Sequence, residues 1–314
     1  MKTFCIIDSF ALMFRAYYAL VDMKTQKGFP SGAIFGVTNF LLQIIETWNP
    51  DYLVAAIDMG QPTFRHEMYE AYKANRTEAP EDFITQIEPI FEIIRSFQIP
   101  LIGVPGFEAD DLAGTLAVKM FNEHEDMRIL CFTGDHDYFQ LVNDRIHVFT
   151  PHIGFHKAKL YTPEAVFEKS GVHPHQIIDF KSLKGDTSDN VVGVPGIGDK
   201  TASKLLNEFE TLEEIYENIE HISGKLQENL LTYKDRVFLN RELVKIRTDA
   251  PLQEDILEKS IWNEIPLEDI EPRLIQYECF SCIQKLKKMI QRKDAALSPS
   301  ILKKENIAQQ QSLF

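Results

Sequence analysis

Three apolar runs, far apart in the chain, each stop at a carboxylate. They are Phe4-Cys5-Ile6-Ile7 at Asp8, Leu53-Val54-Ala55-Ala56-Ile57 at Asp58, and Ile129-Leu130-Cys131-Phe132, through Thr133-Gly134, at Asp135. Short continuous apolar runs without polar alternation are the mark of strands buried on both faces. Helix-patterned stretches lie between them, including 36–47 and 83–97, so the alternation predicts an α/β fold with a three-layer, mostly parallel sheet. Ligands of such sheets sit beyond the carboxyl ends of the strands. Three acids at three strand ends are therefore predicted to face one crevice.

From about Pro174 the pattern turns helical and continues through about Arg292, with a Gly-rich turn at Gly193–Gly198. The chain of 314 residues thus reads as an α/β core over 1–173, a helical region over 174–293 and a polar tail over 294–314. No internal repeat is visible. The first apolar run is too short for a signal peptide, and no later run approaches the roughly 18 residues a membrane helix needs, which predicts a cytoplasmic protein with no membrane contact. Cys5 and Cys131 lie inside strand-like runs, where a free thiol acts as a small hydrophobe. Cys279-x-x-Cys282 lacks a second ligand pair nearby, which favours structural thiols over a zinc site.

Glu108-Ala109-Asp110-Asp111 follows the turn at Pro105-Gly106 and opens a helix with an apolar stripe at Ala109, Leu112, Ala113, Leu116, Ala117 and Met120. One acid there is explained by the helix dipole. Three within four residues repel one another, and a bound cation is the usual remedy. Two more clusters follow, Asp135-His136-Asp137 and Asp186-Thr187-Ser188-Asp189-Asn190. Each alone could be a side-chain-capped turn. Together the candidates are Asp8, Asp58, Glu108, Asp110, Asp111, Asp135, Asp137, Asp186 and Asp189, an oxygen-only set that suits two or more Mg²⁺ or Mn²⁺ ions rather than zinc. Paired hard cations are the common arrangement for phosphodiester hydrolysis. The formal charge of −14 argues against nucleic acid as a ligand unless the acids are gathered where metals neutralise them. The basic residues do collect elsewhere, over 65–76 and 181–204.

These segments resemble the 5′-nuclease (flap endonuclease) family, in particular the 5′-3′ exonuclease domain of bacterial DNA polymerase I, here expected to stand alone. The likeness is carried by Ile7-Asp8-Ser9 with Phe14-Arg15-Ala16-Tyr17, Phe64-Arg65-His66-Glu67 with Tyr72-Lys73-Ala74-Asn75-Arg76, Gly106-Phe107-Glu108-Ala109-Asp110-Asp111, Thr133-Gly134-Asp135-His136-Asp137, and Lys184-Gly185-Asp186-Thr187-Ser188-Asp189-Asn190. It runs from about residue 3 to about 250. It implies a PIN-like 5′-nuclease core and a metal-dependent enzyme cutting DNA at 5′ flaps, nicks or ends, with RNA-primed strands as further substrates. A place in the bacterial cytoplasm, associated with the nucleoid and serving replication or repair, follows from the same likeness; oligomeric state is not written in the sequence, and a monomer is the default expectation. His136 departs from the family, which often has Lys there.

The resemblance makes 63–81 a helical arch around the 5′ strand, with Lys73 and Arg76 on the scissile phosphate and Arg15 opposite. Arg65 and Tyr72 are DNA contacts on this reading, since basic residues interleaved with aromatics suit single strands; a solvated loop is the bland alternative. Val194-Pro195-Gly196-Ile197-Gly198-Asp199-Lys200-Thr201-Ala202 resembles a helix-hairpin-helix turn. Gly196 and Gly198 would let backbone approach phosphate, with Thr201, Lys200 and Lys204 behind them. Relatives can hold K⁺ there. Gln310-Gln311-Ser312-Leu313-Phe314 resembles the peptide by which bacterial repair proteins bind the sliding clamp, through Gln310, Leu313 and Phe314; a tail folded back on the core is the alternative. Two rival functions remain open: a PIN-like ribonuclease, and a non-catalytic, clamp-tethered DNA-binding module.

Overall fold

The computed structural model describes residues 1–150 and 158–293; the expectations for the tail at Gln310, Leu313 and Phe314 lie outside the described residues. In chain order the elements are β1 (Lys2–Asp8), α1 (Ser9–Ala19), α2 (Gly32–Trp48), β2 (Tyr52–Ala56), α3 (Phe64–Met68), α4 (Glu81–Ser96), β3 (Leu101–Ile102), α5 (Ala109–Glu123), β4 (Met127–Phe132), β5 (Ile146–Thr150), β6 (Lys159–Tyr161) and α6 (Pro163–Ser170). The second half adds α7 (Ile177–Lys184), the short pair β7 (Gly185–Asp186) and β8 (Val191–Val192), α8 (Asp199–Phe209), α9 (Leu212–Glu217), α10 (Lys225–Thr232), α11 (Lys234–Val244), α12 (Ile256–Lys259), α13 (Leu267–Gln276) and a helical stretch at 280–293.

The six-stranded sheet has the order β3-β2-β1-β4-β5-β6, parallel except for β6. Successive residues of each central strand point into opposite layers. Phe4, Ile6, Val54, Ala56, Ile129 and Cys131 pack under α5 and the second-half helices. Cys5, Ile7, Leu53, Ala55, Leu130 and Phe132 pack against α1, α2 and α4. Both faces are covered, which is why the strands read as unbroken apolar runs. The chain runs outward from β1 through β2 to β3, then returns to β4 on the other side of β1 and continues to β6. The switch point therefore lies at the carboxyl ends of β1 and β4, where such sheets open a crevice.

One sequence-based expectation needs correction. Residues 63–81 do not form a helical arch: α3 is five residues long, and turns and coil follow to Pro80. The last part of the helical region crosses to the α1/α2/α4 layer: Ile256 still packs on the α5 side, then Leu53 N donates to Ser260 O at 2.8 Å and Trp262 N donates to Asp51 O at 2.9 Å. Trp262 Nε1 donates to Phe97 O at 3.0 Å, and Ile270, Leu274, Cys279, Cys282 and Leu286 join the α2/α4 core. An amphipathic pattern reports that a helix has a buried face, but not which layer buries it. Cys279 and Cys282 are buried free thiols in this packing. Among the described residues no helix is long and apolar enough to cross a membrane.

Candidate active site

Strand register sets the site. Asp8 ends β1 beside Ala56 of β2, and Ile7 lies beside Phe132 of β4, so Asp58 and Asp135 leave their strands on either side of Asp8. Asp8 is buried and caps α1: its Oδ1 accepts from Ala11 N at 3.1 Å and its Oδ2 from Thr133 Oγ1 at 2.8 Å. Thr133 Oγ1 also accepts from Asp135 N at 3.0 Å, so one hydroxyl ties two strand-end acids together. Burial, against those hydrogen bonds and with the charges of Asp58 and Asp135 added, pushes the Asp8 carboxyl up to about 7. Asp58 is held on the next side, its Oδ1 accepting from Ala109 N at 2.8 Å.

Glu108 precedes α5 and is buried. Its Oε2 accepts from Lys73 Nζ at 2.6 Å and from Tyr72 Oη at 3.2 Å. Tyr72 Oη also reaches Asp189 Oδ2 at 3.0 Å, and Arg76 donates to Asp189 Oδ1 at 2.6 Å. Two loops are clipped together here. Lys73, at a left-handed φ of 56°, donates its N–H to Asp189 O, Asn75 holds Thr187 O, and Asn190 holds Ala71 O. A third cation completes the ring. Lys181 on α7 is buried, with Nζ paired to Asp137 and, at 2.6 Å, to Asp186 Oδ2. Despite partial burial, Lys181 and Ser188 hold the Asp186 carboxyl down to about 2.

Burial drives the Asp110 carboxyl well above its ordinary range, helped by Glu108 and Asp111 and opposed by Arg65. Burial likewise raises Asp135, against Lys181 and with Asp189 and Asp186, and raises Asp58. Carboxyls pushed upward by crowding and burial are a signature of a site short of positive charge. Among the described residues no three acids stand as a ready metal-ligand group; Lys73, Arg76 and Lys181 fill the spaces between them. The donor set nevertheless fits hard cations, being oxygen-only, crowded and low in compensating charge.

The structure gives three residues roles other than those the sequence suggested. Arg65 is not a DNA contact: it is 2% exposed. Its guanidinium grips Asp111 through two bonds of 2.7 and 2.8 Å and donates to Leu243 O and Lys245 O, each at 2.8 Å. Asp111 in turn is not placed to ligate a metal, because it is fully buried and also accepts from Glu108 N and Arg247 N. Tyr72 offers no ring to a base; it is buried against Val191, Leu243 and Val244. Lys181 is a site residue that the sequence pattern does not single out from the basic stretch 181–204. Its spacing is the available signal, since it stands four residues after buried Ile177 and five before Asp186.

Arg15 is half-buried beside Gly134, where an added Cβ would come within 3.2 Å of a guanidinium nitrogen. Among the described residues it makes no ion pair. His136 stacks on Phe139, with ring centroids 4.6 Å apart. The crevice itself encloses about 890 Å³ and runs from Arg76, Asp135, Lys181 and Asp186 to Gly198 and Asp199. At that far end, Gly196 takes a φ of 82° and Asn229 Nδ2 ties Pro195 O at 2.8 Å. The first turn of α8 has no side-chain cap, and nothing stands within 4 Å of a Cβ added at Gly198. Lys200 and Lys204 are exposed beside it, with Thr201 half-buried. Gly185 and Gly193 close the β7–β8 turn so tightly that a Cβ on Gly193 would stand 2.2 Å from Lys184 O.

This fold is shared with solved nucleases. A T5 5′-exonuclease structure with bound zinc ions aligns with a TM-score of 0.66 over 87% of this chain and 100% of that one, at 24% identity. The Rad2 catalytic core in complex with DNA substrate aligns at 0.57 over 92% of this chain and 91% of that one, at 18% identity. These identities speak for the fold alone, and the class they define is the 5′-nuclease fold. Residues 3–171 match the "5′-3′ exonuclease, N-terminal resolvase-like domain" family and residues 172–265 the "5′-3′ exonuclease, C-terminal SAM fold" family. The chain belongs to the 5′-3′ exonuclease family. Curated relatives include DNA polymerase I of Mycobacterium tuberculosis strain H37Rv, 37% identical over 90% of this chain and 32% of that protein. DNA polymerase I of Caldicellulosiruptor bescii is 40% identical over 90% of this chain and 33% of its own length, and that of Bacillus subtilis 39% over 80% and 28%. The chain thus spans about a third of the length of the curated relatives it matches.

Proposed function

We propose that this chain is a divalent-metal-dependent nuclease that cuts DNA at 5′ flaps, nicks and ends, in primer removal or repair. The observation that carries it is the gathering of carboxylates at and around the strand ends, with Lys73 between Glu108 and Asp189 and Lys181 between Asp137 and Asp186, beside a crevice that ends at the uncapped start of α8. Asp8, Asp58, Glu108, Asp110, Asp135, Asp137, Asp186 and Asp189 are the residues that would hold Mg²⁺ or Mn²⁺, which would supply an activated water and neutralise charge at the phosphate.

The chain's own cations act on the substrate. The Lys73 ammonium is part-buried, so releasing Glu108 toward a phosphoryl oxygen places a poorly solvated charge where negative charge builds up. Arg76, at the crevice mouth, and Arg15, beside Gly134, would grip the same strand. The free N–H groups of α8, with Lys200, Thr201 and Lys204, would hold duplex backbone without reading sequence, and the carbonyls of the Gly196 turn are candidates for K⁺. The second-half grip on duplex favours DNA over the RNA of a PIN-like ribonuclease.

Cleavage of a 5′-flap, a nicked duplex and an RNA-primed duplex, followed side by side while Mg²⁺ is titrated, tests the reading. Product from the DNA substrates that disappears in EDTA, and an Asp135→Asn protein that binds but does not cut, are expected. DNA binding with no metal-dependent product would favour the non-catalytic module instead.

A further inference from the structure

Val194-Pro195-Gly196-Ile197 closes a turn in which Ile197 N donates to Val194 O at 3.0 Å. Proline at the second position and a φ of 82° at Gly196 leave only a type II turn. The peptide between Pro195 and Gly196 is free to flip as far as its own residues are concerned, because proline fits type I equally well and glycine accepts either sign of φ. The restraint comes from another helix. Asn229 Nδ2 donates to Pro195 O at 2.8 Å, and among the described residues this is the one hydrogen bond of that side chain. Asn229 is held in turn by its neighbour Leu230, which is fully buried and whose carbonyl accepts from Tyr216 Oη at 3.2 Å. A planar trans peptide points its C=O and its N–H in opposite directions. With Pro195 O drawn toward α10, the N–H of exposed Gly196 faces the other way and has no hydrogen-bond partner among the described residues.

We propose that Asn229 is a positioning residue for DNA binding: by holding the Pro195 carbonyl it aims the Gly196 N–H, beside the uncapped start of α8, at a duplex phosphate. This role rests on the hairpin's proposed hold on DNA backbone. In the flipped turn a carbonyl oxygen takes the place of the N–H, so a phosphate would meet an acceptor instead of a donor. The glycines give the backbone room and the lysines attract the strand. Asn229 decides which end of the central peptide the phosphate meets.

The test is binding of a fluorescein-labelled DNA duplex in EDTA at several salt concentrations, for the parent, Asn229→Ala, Gly196→Ala and the double variant, with melting curves of each. EDTA keeps metal binding and cleavage out of the readout. Asn229→Ala should bind roughly three- to tenfold more weakly, the worth of one hydrogen bond. Its slope of log affinity against log salt should match the parent's, because no cation is removed, and its Tm should be unchanged. In Gly196→Ala, where the added side chain already disfavours the positive φ, the second substitution should weaken binding no further. Equal affinity in the parent and Asn229→Ala, or additive losses in the double variant, would overturn the assignment of Asn229 alone. A Tm that falls together with affinity would show that the bond serves the fold, and would also overturn it. A parent that does not hold the duplex would instead overturn the hairpin's hold on DNA, and the role of Asn229 with it.

Discussion

Asp8→Asn, compared with the parent in urea melts containing EDTA at several pH values, isolates the electrostatic load at the centre of the sheet. An asparagine keeps the cap on Ala11 N through its Oδ1, so the helix start is preserved, while its Nδ2 faces Thr133 Oγ1 as a donor where the carboxylate accepted. In the folded chain the Asp8 carboxyl titrates at about 7, against an ordinary 3.8. The gap corresponds to roughly 4 kcal/mol between its two protonation states. The sign follows from proton binding. Between these values the folded state holds a proton that the unfolded state has released, so the stability Asp8 allows is fully present below about pH 4. It is lost as pH rises through 7. Asparagine carries no such penalty, so the variant's advantage over the parent should grow by up to about 4 kcal/mol from pH 4 to pH 8. Saturating Mg²⁺ should restore the parent at pH 8 and leave the variant nearly unchanged. Parallel stability curves for the two proteins in EDTA would refute the reasoning.

Asp111→Asn should cost about 3–5 kcal/mol in chemical denaturation, because it takes from the buried Arg65 guanidinium the carboxylate it grips through two bonds and leaves only Glu108, at 3.5 Å, to balance it. Gly193→Ala should destabilise by about 1–3 kcal/mol or more, since its Cβ meets backbone rather than a yielding side chain; a neutral urea midpoint would contradict the tight β7–β8 closure. Lys200→Ala and Lys204→Ala should each lower the slope of log affinity against log salt by about one for duplex DNA, measured in EDTA, without changing preference among sequences.

Strand-end acids were legible in the sequence because a two-face-buried strand writes itself as a continuous apolar run, and the residue that breaks the run marks the crevice. Asp8, Asp58 and Asp135 stand where that logic puts them. The partner of each acid was not legible. Asp111 carries the same charge and sits on the same turn as Asp110, yet Arg65, 46 residues earlier, consumes it inside the core. Long-range pairing of this kind leaves no periodic trace. Tyr72 shows the same limit: an aromatic between basic residues reads as a stacking platform, while its neighbours Val191, Leu243 and Val244 come from the distant second half. The crossing of the chain after Ser260 to the α1/α2/α4 layer was hidden for a related reason, since its helices are amphipathic whichever surface they cover.

Catalysis at this site requires the acids at the sheet rim to gather cations. Anomalous diffraction from Mn²⁺-soaked crystals is the most direct measurement of that. Two or more peaks among Asp8, Glu108, Asp110, Asp135 and Asp186, with Lys73 or Lys181 displaced from its carboxylates, are the expected result. Crystals that hold Mn²⁺ elsewhere or not at all, with both lysines still bridging the acids at saturating metal, would contradict it.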